Sequence, residues 1–176
     1  MKVICIAGYS NSGKTHLIER LIPALKKRGL RVSVIKHAHH GFDIDHAGKD
    51  TWRHRKAGAY EVLIASAQRM ALMREYERER EPDMRALLAE LDHGVDWVLV
   101  EGFKRSELPR LEVWRAAAGK PARYPEDSLV EAIATDSPDR LPQPPLCTVL
   151  DLNDTEAVLQ WLLAHGGRFE YDPGNS

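Results

Sequence analysis

The sequence predicts a three-layer α/β domain with a largely parallel sheet and some antiparallel additions, and three observations carry that expectation. The apolar run Val3 to Ala7 leads into a glycine-rich loop, Gly8-Tyr9-Ser10-Asn11-Ser12-Gly13-Lys14-Thr15, then into an amphipathic helix and a second apolar run. Such a strand, helix and strand form one crossover between parallel strands. Trp97-Val98-Leu99-Val100 is continuously apolar, as a central strand covered on both faces must be. Short apolar runs then alternate with helical periodicity to the end of the chain, the pattern of a sheet layered with helices.

Taken in order, Val3 to Ala7 is the first strand. Leu17, Ile18, Leu21, Ile22 and Leu25 recur at helical spacing, with Lys26, Lys27 and Arg28 in the last turn and Gly29 just past it. Pro23 removes a backbone donor inside that helix and is expected to bend it near Glu19. Leu30 to Lys36 reads as the second strand. Asp50 to Ala57 reads as a short polar helix closed by Gly58, with Asp50 as its N-cap. Tyr60 to Ala65 reads as a third strand, returned by the turn Ser66-Ala67-Gln68 to an antiparallel strand at Met70 to Met73. The run from Arg74 to Glu81, dense in both charge signs, reads as a solvated loop. Asp83 can cap a helix whose apolar face is Met84, Leu87, Leu88 and Leu91. After the central strand, Leu111 to Trp114, Val130 to Ala134 and Leu146 to Leu150 are further strands. The last helix begins at an Asn153 cap, buries Val158, Leu159 and Leu162, and stops at Gly166.

A length of 176 residues suits one domain, placed at residues 1–170, with a disordered tail at 171–176. The formal net charge of -1 gives no basis for sequence-independent nucleic-acid binding, which needs a strongly basic surface. The strand that begins at Lys2 leaves no room for a signal peptide, and no apolar run approaches membrane-spanning length. Cys5 and Cys147 sit far apart in apolar stretches and read as two buried thiols in a reducing compartment. These features point to a cytoplasmic protein that works without nucleic acid or membrane.

The glycine loop matches the phosphate-binding pattern GxxxxGK[ST] of P-loop NTPases, in the required place between strand and helix. Glycines let successive backbone N–H groups turn toward phosphate oxygens, Lys14 adds a point charge, and the Thr15 hydroxyl can ligate magnesium. The positive end of the helix adds to the field. The candidate nucleotide-binding set is Gly8, Ser10, Asn11, Ser12, Gly13, Lys14, Thr15 and His16. Ligands in such sheets bind beyond the carboxyl ends of strands. Asp96 and Glu101 bracket one strand about 16 Å apart, so only Glu101 shares the edge of the loop. A glutamate there suits indirect magnesium contact or orientation of an attacking water, and Lys14 and Glu101 are the candidate catalytic pair. Thr15, Asp45 and Glu101 form the candidate magnesium set. Base selection has a weaker signal: the Asn/Thr-Lys-x-Asp pattern is absent, but Asp136 follows a strand at the same edge and can accept from guanine's ring N–H and amine. The alternative is that Asp136 only organises its turn with Ser137 and Pro138.

The glycine loop, Lys36-His37-Ala38-His39-His40, Gly48-Lys49-Asp50, Lys56-Ala57-Gly58-Ala59, Ala71-Leu72-Met73, Val100-Glu101-Gly102-Phe103-Lys104 and Leu150-Asp151-Leu152-Asn153-Asp154 together resemble the molybdopterin-guanine dinucleotide biosynthesis protein B family. The resemblance spans nearly the whole chain, and the histidine stretch and the Glu-Gly-Phe-Lys block are its specific parts. It implies a GTP-binding adapter, at most a weak GTPase and usually a homodimer, that assists the guanylyltransferase attaching GMP to molybdopterin in molybdenum cofactor biosynthesis. By position it implies phosphates at Gly8 to Thr15, magnesium toward Asp45 and Glu101, and Lys104 near the site. Tyr9-Ser10-Asn11-Ser12 departs from a small-residue loop in being bulkier and more polar. Two other readings use the same residues. A small-molecule kinase would take Asp43 or Asp45 as base and need Arg53, Arg55 or Arg105 over the transferred phosphate. A metal-delivery GTPase would use His37, His39 and His40 as a cargo site.

Overall fold

The computed structural model describes residues 1–38, 41–103 and 105–172. The proposed disordered tail therefore lies largely outside the described residues, as do His39, His40 and Lys104.

Two compact units divide the chain: one holds residues 1–37 and 84–176, the other residues 38–83. In the larger unit, six strands form a wholly parallel sheet in the order β2-β5-β1-β6-β7-β8. They are β1 (Lys2–Ala7), β2 (Val32–Lys36), β5 (Trp97–Glu101), β6 (Arg110–Trp114), β7 (Val130–Thr135) and β8 (Thr148–Asp151). The expected central strand is β5, buried along its whole length. β1 lies between β5 and β6, so the chain leaves it toward β2 on one side and meets β6 on the other. That reversal makes the carboxyl end of β1 the switch point at which ligands bind in open α/β sheets.

Helix α1 (Lys14–Lys27) buries Leu17, Ile18, Leu21 and Leu25, as the spacing predicts, and runs unbroken through Pro23. These side chains join Ile4, Ile6, Leu99, Leu111 and, from the closing helix, Val158, Leu159 and Leu162 in one core. The opposite sheet face buries Val3, Cys5, Val98 and Val100 against Leu88 and Phe103. Helices therefore cover both faces, which explains why β1 is continuously apolar from Val3 to Ala7 and β5 from Trp97 to Val100 rather than at alternate positions.

The smaller unit holds α2 (Asp50–Lys56), β3 (Glu61–Ala65) and β4 (Met70–Arg74). The expected hairpin is present: β3 and β4 pair antiparallel from Glu61 opposite Arg74 to Ala65 opposite Met70. It is a two-stranded sheet of its own and not an extension of the parallel one. Arg55 organises this unit. Its guanidinium donates to Asp43, Asp45 and Glu75 at 2.8–3.3 Å, joining the loop before α2 to the segment after β4.

Local corrections concern caps and one cysteine. Lys49 is the N-cap of α2 and Asp50 is its first helical residue, with no side-chain cap bond. The closing helix, α4 (Thr155–Ala164), is capped by Asp154, whose carboxylate accepts from the Ala157 N–H at 2.9 Å. Asn153 instead donates its N–H to Asp151, and this turn moves the cap one residue on. α3 (Met84–Ala89) buries Leu88, with Met84 and Leu87 partly buried against the same core, and ends before the expected Leu91. Cys5 is buried, but Cys147 is only half-buried because β8 starts at Thr148 and leaves Leu146 exposed.

Candidate nucleotide-binding site

The loop after β1 has the backbone that the glycine pattern requires. Gly8 lies at φ 133° and Gly13 at φ 101°, and Asn11 also takes a left-handed conformation at φ 64°. A Cβ on Gly8 would fall 2.4 Å from the Val113 carbonyl oxygen, so this position tolerates no side chain. Gly13 is the N-cap of α1, and no acid occupies the first turn to neutralise the positive helix end. Ser12 is buried, and its Oγ has no hydrogen-bond partner among the described residues. Lys14 folds back, with Nζ donating to the Tyr9 carbonyl at 2.7 Å. Ser10 is exposed, and His16 faces Glu19 at 3.8 Å along the outer side of α1.

Parallel pairing brings the acid to the loop. Ile6 of β1 is in register with Glu101 of β5, and Lys36 of β2 with Glu101 on its other side. The Thr15 hydroxyl donates to Glu101 Oε1 at 2.7 Å, while Lys36 Nζ stands 3.4 Å from the same carboxylate. Glu101 itself is 8% exposed. Gly102 at φ 97° and Phe103 at φ 49° turn the chain sharply after β5, and Phe103 stacks on His37 at 4.6 Å between ring centroids. The structure thus assembles Gly8 to Thr15 with Glu101, and adds Lys36, which in the sequence stands at the head of the histidine stretch. The signal was available, since Lys36 closes β2 as Glu101 closes β5.

Asp136 lies just beyond β7. Burial works to raise its pKa, but the Ser137 hydroxyl and the Arg115 guanidinium outweigh it and hold the carboxyl below its usual range. Ser137 Oγ donates to Oδ1 at 2.8 Å and Arg115 Nε to Oδ2 at 2.6 Å. Arg115 escaped the sequence reading because nothing local marks it as a partner of a residue 21 positions away. Asp45 belongs to the smaller unit, where it accepts from the Thr51 hydroxyl at 2.8 Å, the His46 N–H at 3.0 Å and Arg55 at 3.3 Å. Among the described residues no three His, Cys, Asp or Glu side chains are placed to hold a metal ion, and of the suggested cargo histidines only His37 is described.

A parallel sheet, a glycine loop at its switch point and a hydroxyl–carboxylate pair beneath that loop define a protein of the P-loop NTPase fold. The family described as molybdopterin guanine dinucleotide synthesis protein B (MobB) matches residues 3–136, and the chain belongs to this family. It is 40% identical to the molybdopterin-guanine dinucleotide biosynthesis adapter protein of Escherichia coli (strain K12), over 94% of this chain and 95% of that one. The protein of the same name from Haemophilus influenzae is 43% identical over 89% and 85%. The crystal structure of a MobB protein homolog from Bacillus stearothermophilus superposes with a TM-score of 0.67 at 26% identity, covering 95% of this chain and 99% of that one. Membership places the protein among the adapters of molybdopterin guanine dinucleotide biosynthesis. No helix among the described residues is long and apolar enough to cross a membrane.

Proposed function

We propose that this protein is a GTP-binding adapter, at most a weak GTPase, that assists the guanylyltransferase converting molybdopterin to molybdopterin guanine dinucleotide. The observation that carries the reading is the Thr15 hydroxyl held 2.7 Å from the buried Glu101 carboxylate at the foot of the glycine loop. The residues fit a magnesium-bound triphosphate. Thr15 and Glu101 are hard oxygen donors of the kind magnesium prefers. The side-chain-free Gly8 lets the loop pack directly against the Val113 carbonyl, and the Ser12 hydroxyl, without a hydrogen-bond partner among the described residues, lies within the loop.

In this reading the loop amides and the α1 N-terminus bind the phosphates, and Lys14 exchanges its Tyr9 carbonyl for a phosphate oxygen. Thr15 and Glu101 would hold the magnesium or one of its waters, and the ion would supply neutralisation of the phosphate charge. Glu101 also orients a water for slow hydrolysis, with the Lys36 ammonium 3.4 Å from the same carboxylate. Asp136 selects guanine, and His16 closes the outer rim of the site. Homodimerisation and a cytoplasmic location follow from the family resemblance and complete the proposal.

Calorimetric titration with GTP and with ATP in magnesium tests it, alongside Lys14→Ala and Asp136→Ala. The expected result is selective GTP binding, weakened at least 100-fold by the first substitution, with discrimination against ATP reduced by the second. Preference for ATP, or no binding of guanine nucleotides, would overturn the proposal.

A further inference from the structure

We infer that Arg115 is a positioning residue for base selection: its guanidinium fixes the Asp136 carboxylate in the orientation that reads guanine. The inference rests on the guanine-nucleotide reading above and goes beyond it in assigning a role to a residue outside every motif in the chain.

The placement begins with strand register. Trp114 of β6 pairs with Thr135 of β7, so Arg115 and Asp136 leave the sheet side by side at its carboxyl edge. Arg115 Nε donates to Asp136 Oδ2 at 2.6 Å. Oδ1 accepts from the Ser137 hydroxyl at 2.8 Å, so both oxygens are fixed while each keeps a further lone pair for a ligand. The carboxylate side chain is 19% exposed, which leaves it reachable. The Arg115 stem also runs past the loop. Its Cδ lies 4.0 Å from the point a Gly13 Cβ would occupy, next to Leu152 Cδ2 at 3.9 Å on the same point. One side chain therefore runs beside the N-cap of the phosphate-binding helix and bonds the candidate base reader.

The chemistry fits a carboxylate that must not rotate. Guanine offers a ring N–H and an exocyclic amine side by side, and a carboxylate can accept both only in one plane. A donor on one oxygen from Arg115 and on the other from Ser137 sets that plane. Stability does not account for the pair, because an ion pair with its guanidinium 43% exposed is largely screened by solvent. Substitution of Arg115 is therefore expected to leave the fold intact.

The test is calorimetric binding of GTP, ITP and XTP to the whole protein and to Arg115→Ala, Arg115→Gln, Asp136→Asn and the Arg115→Ala/Asp136→Asn double variant, with thermal melting of each. ITP lacks only the exocyclic amine. The wild type should favour GTP over ITP by about tenfold, and Arg115→Ala and Arg115→Gln should bring that ratio close to one while changing ITP affinity less than threefold. Asp136→Asn should turn the preference toward XTP, and adding Arg115→Ala should then cost no further GTP affinity. Equal weakening of GTP and ITP by the Arg115 variants would make Arg115 a phosphate contact, and no change in either would make it a bystander. Either result overturns the inference with the guanine reading intact, as does an Asp136→Asn variant with unaltered preference. A wild type that binds no guanine nucleotide overturns the guanine reading itself.

Discussion

Gly8, in the phosphate loop, and Glu112, in the interior of β6, show how a single residue can hold a neighbouring segment in place. Replacing Gly8 with Ala would set a methyl group 2.4 Å from the Val113 carbonyl, at a φ that side chains rarely adopt. Gly8→Ala is expected to lower stability by about 3 kcal/mol and to weaken GTP binding at least tenfold, read by thermal melting and calorimetry. Glu112 is completely buried in β6, and its carboxylate accepts the N–H groups of Arg123 at 2.7 Å and Tyr124 at 2.8 Å. Burial raises its pKa against the opposing pull of those two amides. Glu112→Ala would strand both donors in the interior and should destabilise by about 3 kcal/mol, whereas Glu112→Gln keeps one acceptor and should cost less than half as much. Denaturant titration of the two variants decides this, and equal losses would remove the amide contacts as the cause. Glu101 was legible as an acid that closes an apolar strand. Glu112 was not, because the amides it serves return from a distant loop.

At the scale of elements, periodicity located helices and strands, while local competition set their ends. Asn153 and Asp154 are both good capping residues, and composition does not separate them. The Asp151 carboxylate takes the Asn153 N–H, and the resulting turn hands the cap to Asp154. Asp154→Ala should therefore cost about 1 kcal/mol and Asn153→Ala about a quarter of that, measured by melting temperature. The reverse order would return the cap to Asn153. The strand at Thr148–Asp151 starts later than its apolar run suggests, since pairing with β7 begins only where Thr148 meets Ala132. Hydrophobicity records what can be buried, and hydrogen-bond register decides where pairing starts.

The whole molecule comprises two units with different means of support. The larger unit rests on an apolar core on each face of its sheet. The smaller one is tied by Arg55 to Asp43, Asp45 and Glu75. The Arg55 side chain, together with the Asp45 N–H, draws the Asp43 pKa from its ordinary 3.8 down to about 2. A depressed acid stabilises the folded state fully above its unfolded pKa and loses that contribution as pH falls through the folded value. Hairpin amides of β3 and β4 should therefore exchange faster as pH drops from about 4 to 2, after correction for intrinsic rates, with β1 and β5 unaffected. Asp43→Asn should remove that pH dependence, and Arg55→Ala should raise hairpin exchange at least tenfold at neutral pH. Unchanged exchange in both would show that the hairpin does not depend on this cluster.

The sequence by itself determined the loop, the helix it opens, the strand that Glu101 closes and the family, because each is written in residues close together or in a pattern of fixed period. The sheet order, the direct hydrogen bond by which Thr15 reaches Glu101 across 86 positions at the edge they share, and the Arg115–Asp136 pair were decided by tertiary structure. Parallel strands are joined by crossovers that leave their neighbours unspecified, so side chains at the shared edge become partners only once the core has chosen which strands lie side by side.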